Sequence, residues 1–369
     1  MGVSTGYRQH LYWGDETKYG SATAIDEDLG VVQSITPGEK NNLIKIRTIG
    51  GNRDYKTVLP GKFEISGSMD WYLQGGSFLR QCIGEDTAST ATVDSGPRLL
   101  YTSSGGGSTY LHVMGSANSP TTDDYPSFTL EFTDDEGLTS GSTNLQRTYR
   151  GARVNTFSMN ANIDEPVKCS VDWMAMNVDA GTASASSPTE YTLDPYVFYQ
   201  GGVYLTAAVV NGETKQSAMS SDVVAYCNTF DFTINNNCEA YWYISGTTDT
   251  TQSKRGPKFI IPKGRDTDLK LGLHFESKSM YQRFLGNVTA TSPSTDIDKF
   301  QIAVDLLRTG VVGSAMAATD DWLRIVVASA SFDDIAINGA PEDVVSNDVT
   351  VFGKSFKVYV ADSVSTYKS

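Results

Sequence analysis

The sequence predicts a mainly β protein made of two tandem β-sandwich or split-barrel units, each flanked by one short helix. Three observations carry that prediction. Polar and apolar residues alternate with a period of two in many short stretches, as half-buried strands require, and long helical runs are missing. An eight-residue pattern is written twice, as SFLRQCIG from Ser77 to Gly84 and as SMYQRFLG from Ser279 to Gly286. Around both octets the same five features follow in one order, which points to a duplicated β-rich unit.

Taken in order, the series starts with VVQSITPGEKNNLIKIRTIGG from Val31 and AYCNTFDFTINNNCEAYWYISG from Ala225, each read as two paired strands around an Asn-rich turn. A turn with proline and glycine comes next, VLPGK at Val58 to Lys62 and IIPKG at Ile260 to Gly264. The alternating strands Lys62 to Leu73 and Asp268 to Glu276 follow. Each octet then reads as one or two helical turns. Its serine hydroxyl is expected to accept from an orphan N–H, and its glycine to close the helix in a left-handed conformation. Phe78, Leu79, Cys82 and Ile83, and in the second octet Met280, Tyr281, Phe284 and Leu285, make an apolar stripe for docking on a sheet. Last come PSFTLEF with RVNTFSMNANIDEPVKCSVDWMA, and WLRIVVASASFDDIAI with VTVFGKSFKVYV. A chain of 369 residues has room for two such domains. The predicted division is a first domain at 1–178 with a Ser/Thr/Gly-rich loop insertion at about 85–125, a linker and hairpin at 179–223, and a second domain at 224–369.

The formal net charge of −14 argues against a protein that grips nucleic acid, because holding phosphates needs a basic surface. It is compatible with DNA merely passing by, and a salt-loving host is a second source of such acidity. No apolar run approaches the ~18 residues of a membrane span, and Arg8-Gln9-His10 falls where the core of a signal peptide would sit, so a soluble, unsecreted chain is expected. Four cysteines without a CxxC pair read as reduced, buried thiols rather than disulfides or zinc ligands. Chemistry is scarce. Gly2 to Gly6 fits GxSxG but lacks a preceding strand. The three histidines have no HxxxH spacing, the acidic clusters lack the DxDxDG spacing of a calcium loop, and SSGGGS lacks the Lys-Ser/Thr of a phosphate loop. The expectation is a protein that is not an enzyme and carries no metal and no cofactor.

The start YGSATAI from Tyr19, the stretch LPGKFEISGSMDWYL, the helix SFLRQCIG and the segment YRGARVNTFSMNANIDEPVKCSVDWMA from Tyr149 to Ala175 together resemble the major tail tube proteins of tailed phages and archaeal tailed viruses. FDFTINNNCEAYWYI and RDTDLKLGLHF extend the likeness into the second half, and Asp164-Glu165 departs from it where the family often has glycine. The resemblance implies a virion protein, assembled in the host cytoplasm, whose rings stack into a hollow conduit for viral DNA ejection. Six tube folds per ring and two per chain imply a homotrimer with pseudo-hexameric symmetry. The implied partners are other copies of the chain, the tape measure, tail terminator and tip proteins, and DNA that passes without specific binding; no membrane is implied. Candidates for the lumen are Glu64, Ser66, Ser68 and Asp70 in the first unit, and Asp268, Lys270, His274 and Glu276 in the second. The pattern alone fits the outer surface equally well. An alternative function is a two-domain β-sandwich adhesin or carbohydrate-binding protein, with Trp71, Tyr72, Trp242 and Trp322 stacking on sugars.

Overall fold

The computed structural model describes residues 9–21, 24–51, 53–84, 89–90, 110–115, 125–134, 145–181, 188, 190–207, 227–243, 254–274, 278–287, 289–309, 321–338, 346–365 and 367. The first half carries β1 (Gln9–Asp15), β2 (Glu27–Asp28), β3 (Val31–Asn41), β4 (Ile44–Ile46), β5 (Thr57–Leu59), β6 (Phe63–Tyr72), α1 (Leu79–Ile83), β7 (Ser89–Thr90), β8 (Tyr110–Gly115), β9 (Phe128–Asp134), β10 (Leu145–Asn162), β11 (Lys168–Ala175) and β12 (Asn177–Gly181). The second carries β13 (Gly201–Ala207), β14 (Cys227–Asn235), β15 (Glu239–Tyr241), β16 (Phe259–Ile261), β17 (Asp266–His274), α2 (Ser279–Phe284), β18 (Phe300–Thr309), β19 (Asp321–Asn338) and β20 (Ser346–Asp362). The protein is mainly β, and every strand pairing is antiparallel.

Strand order repeats. In the first half β3, β6, β11, β10, β9 and β1 pair in that succession; in the second, β14, β17, β20, β19, β18 and β13 do. Irregularities recur at the same places: β3 slips against β6 between Val32 and Ser34, and β14 against β17 between Cys227 and Thr229. The long central strands slip against their neighbours between Val154 and Thr156 and between Phe332 and Asp334. Just upstream both strands hold a residue at positive φ, Gly151 at 61° and Ser329 at 50°, as bulges that re-aim a strand often do. The Asn-rich turns do not fold β3 and β14 back on themselves as the sequence suggested. Each of those strands belongs to the large sheet, and the small hairpins are β4–β5 and β15–β16 instead.

A seam joins the halves. Thr156–Asn162 of β10 pairs with Thr229–Asn235 of β14, so ten strands form one path from β13 to β3. At its far end β3 pairs, among the described residues, with β6 alone and carries Pro37, a residue tolerated at sheet edges because it has no N–H to donate. The stretch expected as a loop at 85–125 contains β8, which pairs with the end of β20. The stretch expected as linker and hairpin contributes β13, paired with β18.

Alternation decides what is buried. Ile65, Met69 and Trp71 of β6 and Leu269, Leu271 and Leu273 of β17 point into the main core. Phe78 before α1 meets Trp13, Trp71 and Phe128 edge-on, with ring centroids 5.0, 5.5 and 5.2 Å away. Burying such a ring stabilises by about 1.5–3 kcal/mol, and Phe78→Ala removes that and leaves a cavity. β6 comes close to the Trp173 indole only because residue 67 is glycine; a Cβ there would lie 2.5 Å from Trp173 Cζ2. The serine cap expected for the first helix is absent: Ser77 Oγ bonds the Tyr191 hydroxyl at 2.8 Å, and the helix begins after Phe78 with no side-chain cap. Both closing glycines do take positive φ, Gly84 at 113° and Gly286 at 124°. The two apolar stripes differ in fate. Phe78, Leu79, Cys82 and Ile83 are buried, whereas Tyr281 and Phe284 are 41% and 37% exposed.

Candidate functional surface

Because Ile65, Met69 and Trp71 face the core, the intervening Glu64, Ser66, Ser68 and Asp70 share the opposite face of β6. By the same alternation Asp268, Lys270 and His274 lie opposite Leu269, Leu271 and Leu273 on β17. Glu276 falls outside the described residues. The register connects the two groups. Asp70 sits between Ser34 and Ser170, Ser170 faces Ser158, Ser158 faces Thr233, and Thr233 faces Asp268. Residues paired this way project from one side of a sheet, so the seven described candidates occupy a single polar face that crosses the seam. Six strands at a spacing of ~4.8 Å make this band roughly 24 Å wide.

Sequence reading found part of the band and missed part. Asp172 on β11 faces Ser68, Asp231 on β14 faces Lys270, and Asp348 on β20 faces Gly272, so three further carboxylates belong to it. Their signal was available in the alternation of CSVDW and FDFTI, but only the cross-strand register places them beside the others. Lys168 answers Asp70 at 3.1 Å, and Ser34 Oγ donates to Asp70 Oδ2 at 3.1 Å. Partial burial pushes the Asp70 carboxyl up, but hydrogen bonds from Ser170, Lys168 and Ser34 outweigh it and hold the group below its ordinary value. Glu64 is likewise held low, first by its hydrogen bond from Lys62 and then by Asn42. Both stay ionised at neutral pH.

Among the described residues no group of three or more His, Cys, Asp or Glu gathers as a metal site would need. The four cysteines are unpaired, and burial pushes the thiols of Cys82 and Cys169 well up, away from the thiolate a nucleophile needs. Sugar stacking fares no better. Trp71 and Trp322 are 1% and 3% exposed and belong to the core, and the Trp242 ring lies under the Lys62 ammonium at 4.5 Å. The two buried tryptophans overturn the adhesin reading at those positions. No helix among the described residues is long and apolar enough to cross a membrane.

No curated protein matches the chain. A family model described as phage tail tube protein matches residues 6–351. With that match spanning nearly all of a mainly β chain, the protein belongs to the phage tail tube family, a structural component of the virion tail that assembles with itself and with other tail proteins.

Proposed function

We propose that the protein polymerises as stacked rings into the hollow tube of a tailed phage or archaeal tailed virus, with the polar sheet face turned to the lumen through which viral DNA is ejected. The carrying observation is the continuity of that face. Glu64, Asp70, Asp172, Asp231 and Asp268 are held on one side of one sheet, across the seam between the halves. A wall with more carboxylates than cations repels phosphates, and because the Debye length is ~8 Å at physiological salt, the repulsion acts close to the wall. DNA then slides without being bound. The repeated strand order supports two tube modules arising by duplication in each chain. Three chains then supply the six modules of a ring, a homotrimer with pseudo-hexameric symmetry, assembled in the host cytoplasm alongside the tape measure, terminator and tip proteins.

Electron microscopy of the purified protein tests the assembly, and reconstituted virions carrying Glu64→Lys and Asp268→Lys test the lumen. Tubes are expected to form while ejection slows, most strongly at low salt. Ejection kinetics identical to the parent across salt concentrations would take these residues off the lumen.

A further inference from the structure

The joint between the two halves is a template for a joint between chains. Matching the bulges and pairings sets β14 against β3, β17 against β6, β20 against β11 and β19 against β10. Within one chain the seam is the Thr156–Asn162 edge of β10 zipped to β14. The corresponding edge of β19 starts at Asp334 and, as far as Asn338, has β20 on one side and no strand on the other among the described residues. The strand corresponding to β14 is β3, whose outer edge has no partner strand among the described residues. The chain thus ends in two halves of the joint it already contains once.

Burial marks the same two surfaces. Met159 on β10 and Tyr125 just before β9 are 0% and 4% exposed beside the seam; their counterparts Ile337 on β19 and Ile297 just before β18 are 52% and 70% exposed. On the other partner, the β15–β16 hairpin docks on the first half, where Arg153 Nη1 donates to Ile260 O at 2.6 Å and the Ile260 N–H donates to the Tyr19 hydroxyl at 2.9 Å. Ile260 is fully buried there, while its counterpart Val58, central in β5, is 50% exposed. At Ile337, Ile297 and Val58 an apolar residue is uncovered where the matching position of the other half is covered across the internal seam, and a second copy of this chain is the occupant that fits.

We infer that β3 and the β4–β5 hairpin of one copy add to the Asp334–Asn338 edge and the Ile297 surface of the next, in the register of the internal seam. Thr156 opposite Asn235 and Ser158 opposite Thr233 in the seam translate into Asp334 opposite Lys40 and Ala336 opposite Gly38 between copies. Asp334 and Lys40, both exposed, then form a cross-strand pair of opposite charge. Pro37 removes one donor and leaves the rest of the ladder available. Repeating one joint around an axis is how a head-to-tail contact closes a ring.

The inference rests on the tube reading, and disulfide trapping separates the two. Directly opposed residues in an antiparallel pair have Cα atoms ~4.5–5.5 Å apart, within the span of a disulfide. Full-length protein carrying Lys40→Cys and Asp334→Cys, assembled into tubes and oxidised, is expected to run as linked multimers on non-reducing gels. The pair Lys40→Cys and Ile335→Cys, one residue out of register and on opposite faces, is expected to remain unlinked. Tubes that form but link through the shifted pair, or through neither, overturn the register and leave the tube reading intact. A parent protein that never assembles at any concentration sinks both. Val58→Asp and Ile297→Asp, both at exposed positions, are each expected to reduce assembly at least tenfold at unchanged melting temperature. Assembly within twofold of the parent would remove the apolar contacts from the joint.

Discussion

Asp305 and Arg324 offer the sharpest test of how the second half is held together. They are cross-strand partners on β18 and β19, each side chain is 1% exposed, and both carboxylate oxygens accept from the guanidinium, one from Nε and one from Nη2. Arg324 Nη1 has no hydrogen-bond partner, and the Tyr204 ring lies 5.9 Å from its guanidinium carbon. Asp305→Asn keeps the shape and removes the counter-charge, which leaves a buried cation unpaired. Breaking a buried pair from one side costs about 3–5 kcal/mol. A loss of ~4 kcal/mol is roughly a thousandfold in the folding equilibrium, and with ~2.1 cal/mol/K of unfolding entropy per residue it lowers the melting temperature by ~5 °C. Replacing both partners, as Asp305→Leu with Arg324→Met, removes the desolvation penalty along with the attraction and is expected to be near neutral or stabilising. The singles Asp305→Leu and Arg324→Met and this double therefore form a cycle with a coupling of several kcal/mol, measured by urea unfolding of dissociated protein followed through tryptophan fluorescence. A loss below ~1 kcal/mol for Asp305→Asn, or a double variant as weak as the sum of the singles, would refute the reasoning.

Three further outcomes follow from the same structure. Burial, aided by Asp26, Asp15 and Asp28, pushes Glu27 up from 4.5 to about 6. The folded state therefore holds this proton more tightly than the unfolded one, and the group's contribution, full below pH ~4.5, is lost as pH rises through about 6. Glu27→Gln should stabilise by ~1 kcal/mol at pH 8, after allowance for partial solvent screening, and by nothing at pH 4; a gain independent of pH would contradict this. At the bulge, Gly151→Ala puts a Cβ at positive φ and 2.9 Å from Met176 Cβ, so a loss of about 1–3 kcal/mol is expected, while Ser329→Gly should be neutral or stabilise by up to ~1 kcal/mol in thermal melts. Thiol labelling of the native protein at pH 8 should be slow at every cysteine, since burial raises Cys227 and Cys238 to about 11 and Cys82 and Cys169 further, and all four should react in denaturant. Fast stoichiometric labelling of Cys82 would show the first helix is not packed as described.

What could be read in the sequence was what repeats locally. Alternation located β6 and β17 and sorted their faces, because period-two burial needs no knowledge of the partner strand. The octets located both helices, and the family resemblance rested on the same stretches. Long-range pairing was beyond that reading. Nothing local tells β3 to pair with β6 rather than fold onto β4, because that choice is made by Met69 and Ile35 meeting across the sheet. The same holds for β8, whose TYLHVMG pattern is too short and too close to the Ser/Gly-rich stretch to stand out, yet which completes the edge of β20. Asp172 and Asp231 were missed on the polar face for this reason. The serine cap failed because Tyr191, more than a hundred residues away, claims the Ser77 hydroxyl.

The seam between β10 and β14 is written mainly in peptide groups, and peptide groups are the same whatever amino acids carry them. Such a fastening constrains strand length and pleat far more than it constrains composition. Side chains on the band it supports are therefore free to be re-tuned, charge by charge, with the fastening left undisturbed. A lining can change its chemistry while the wall keeps its shape.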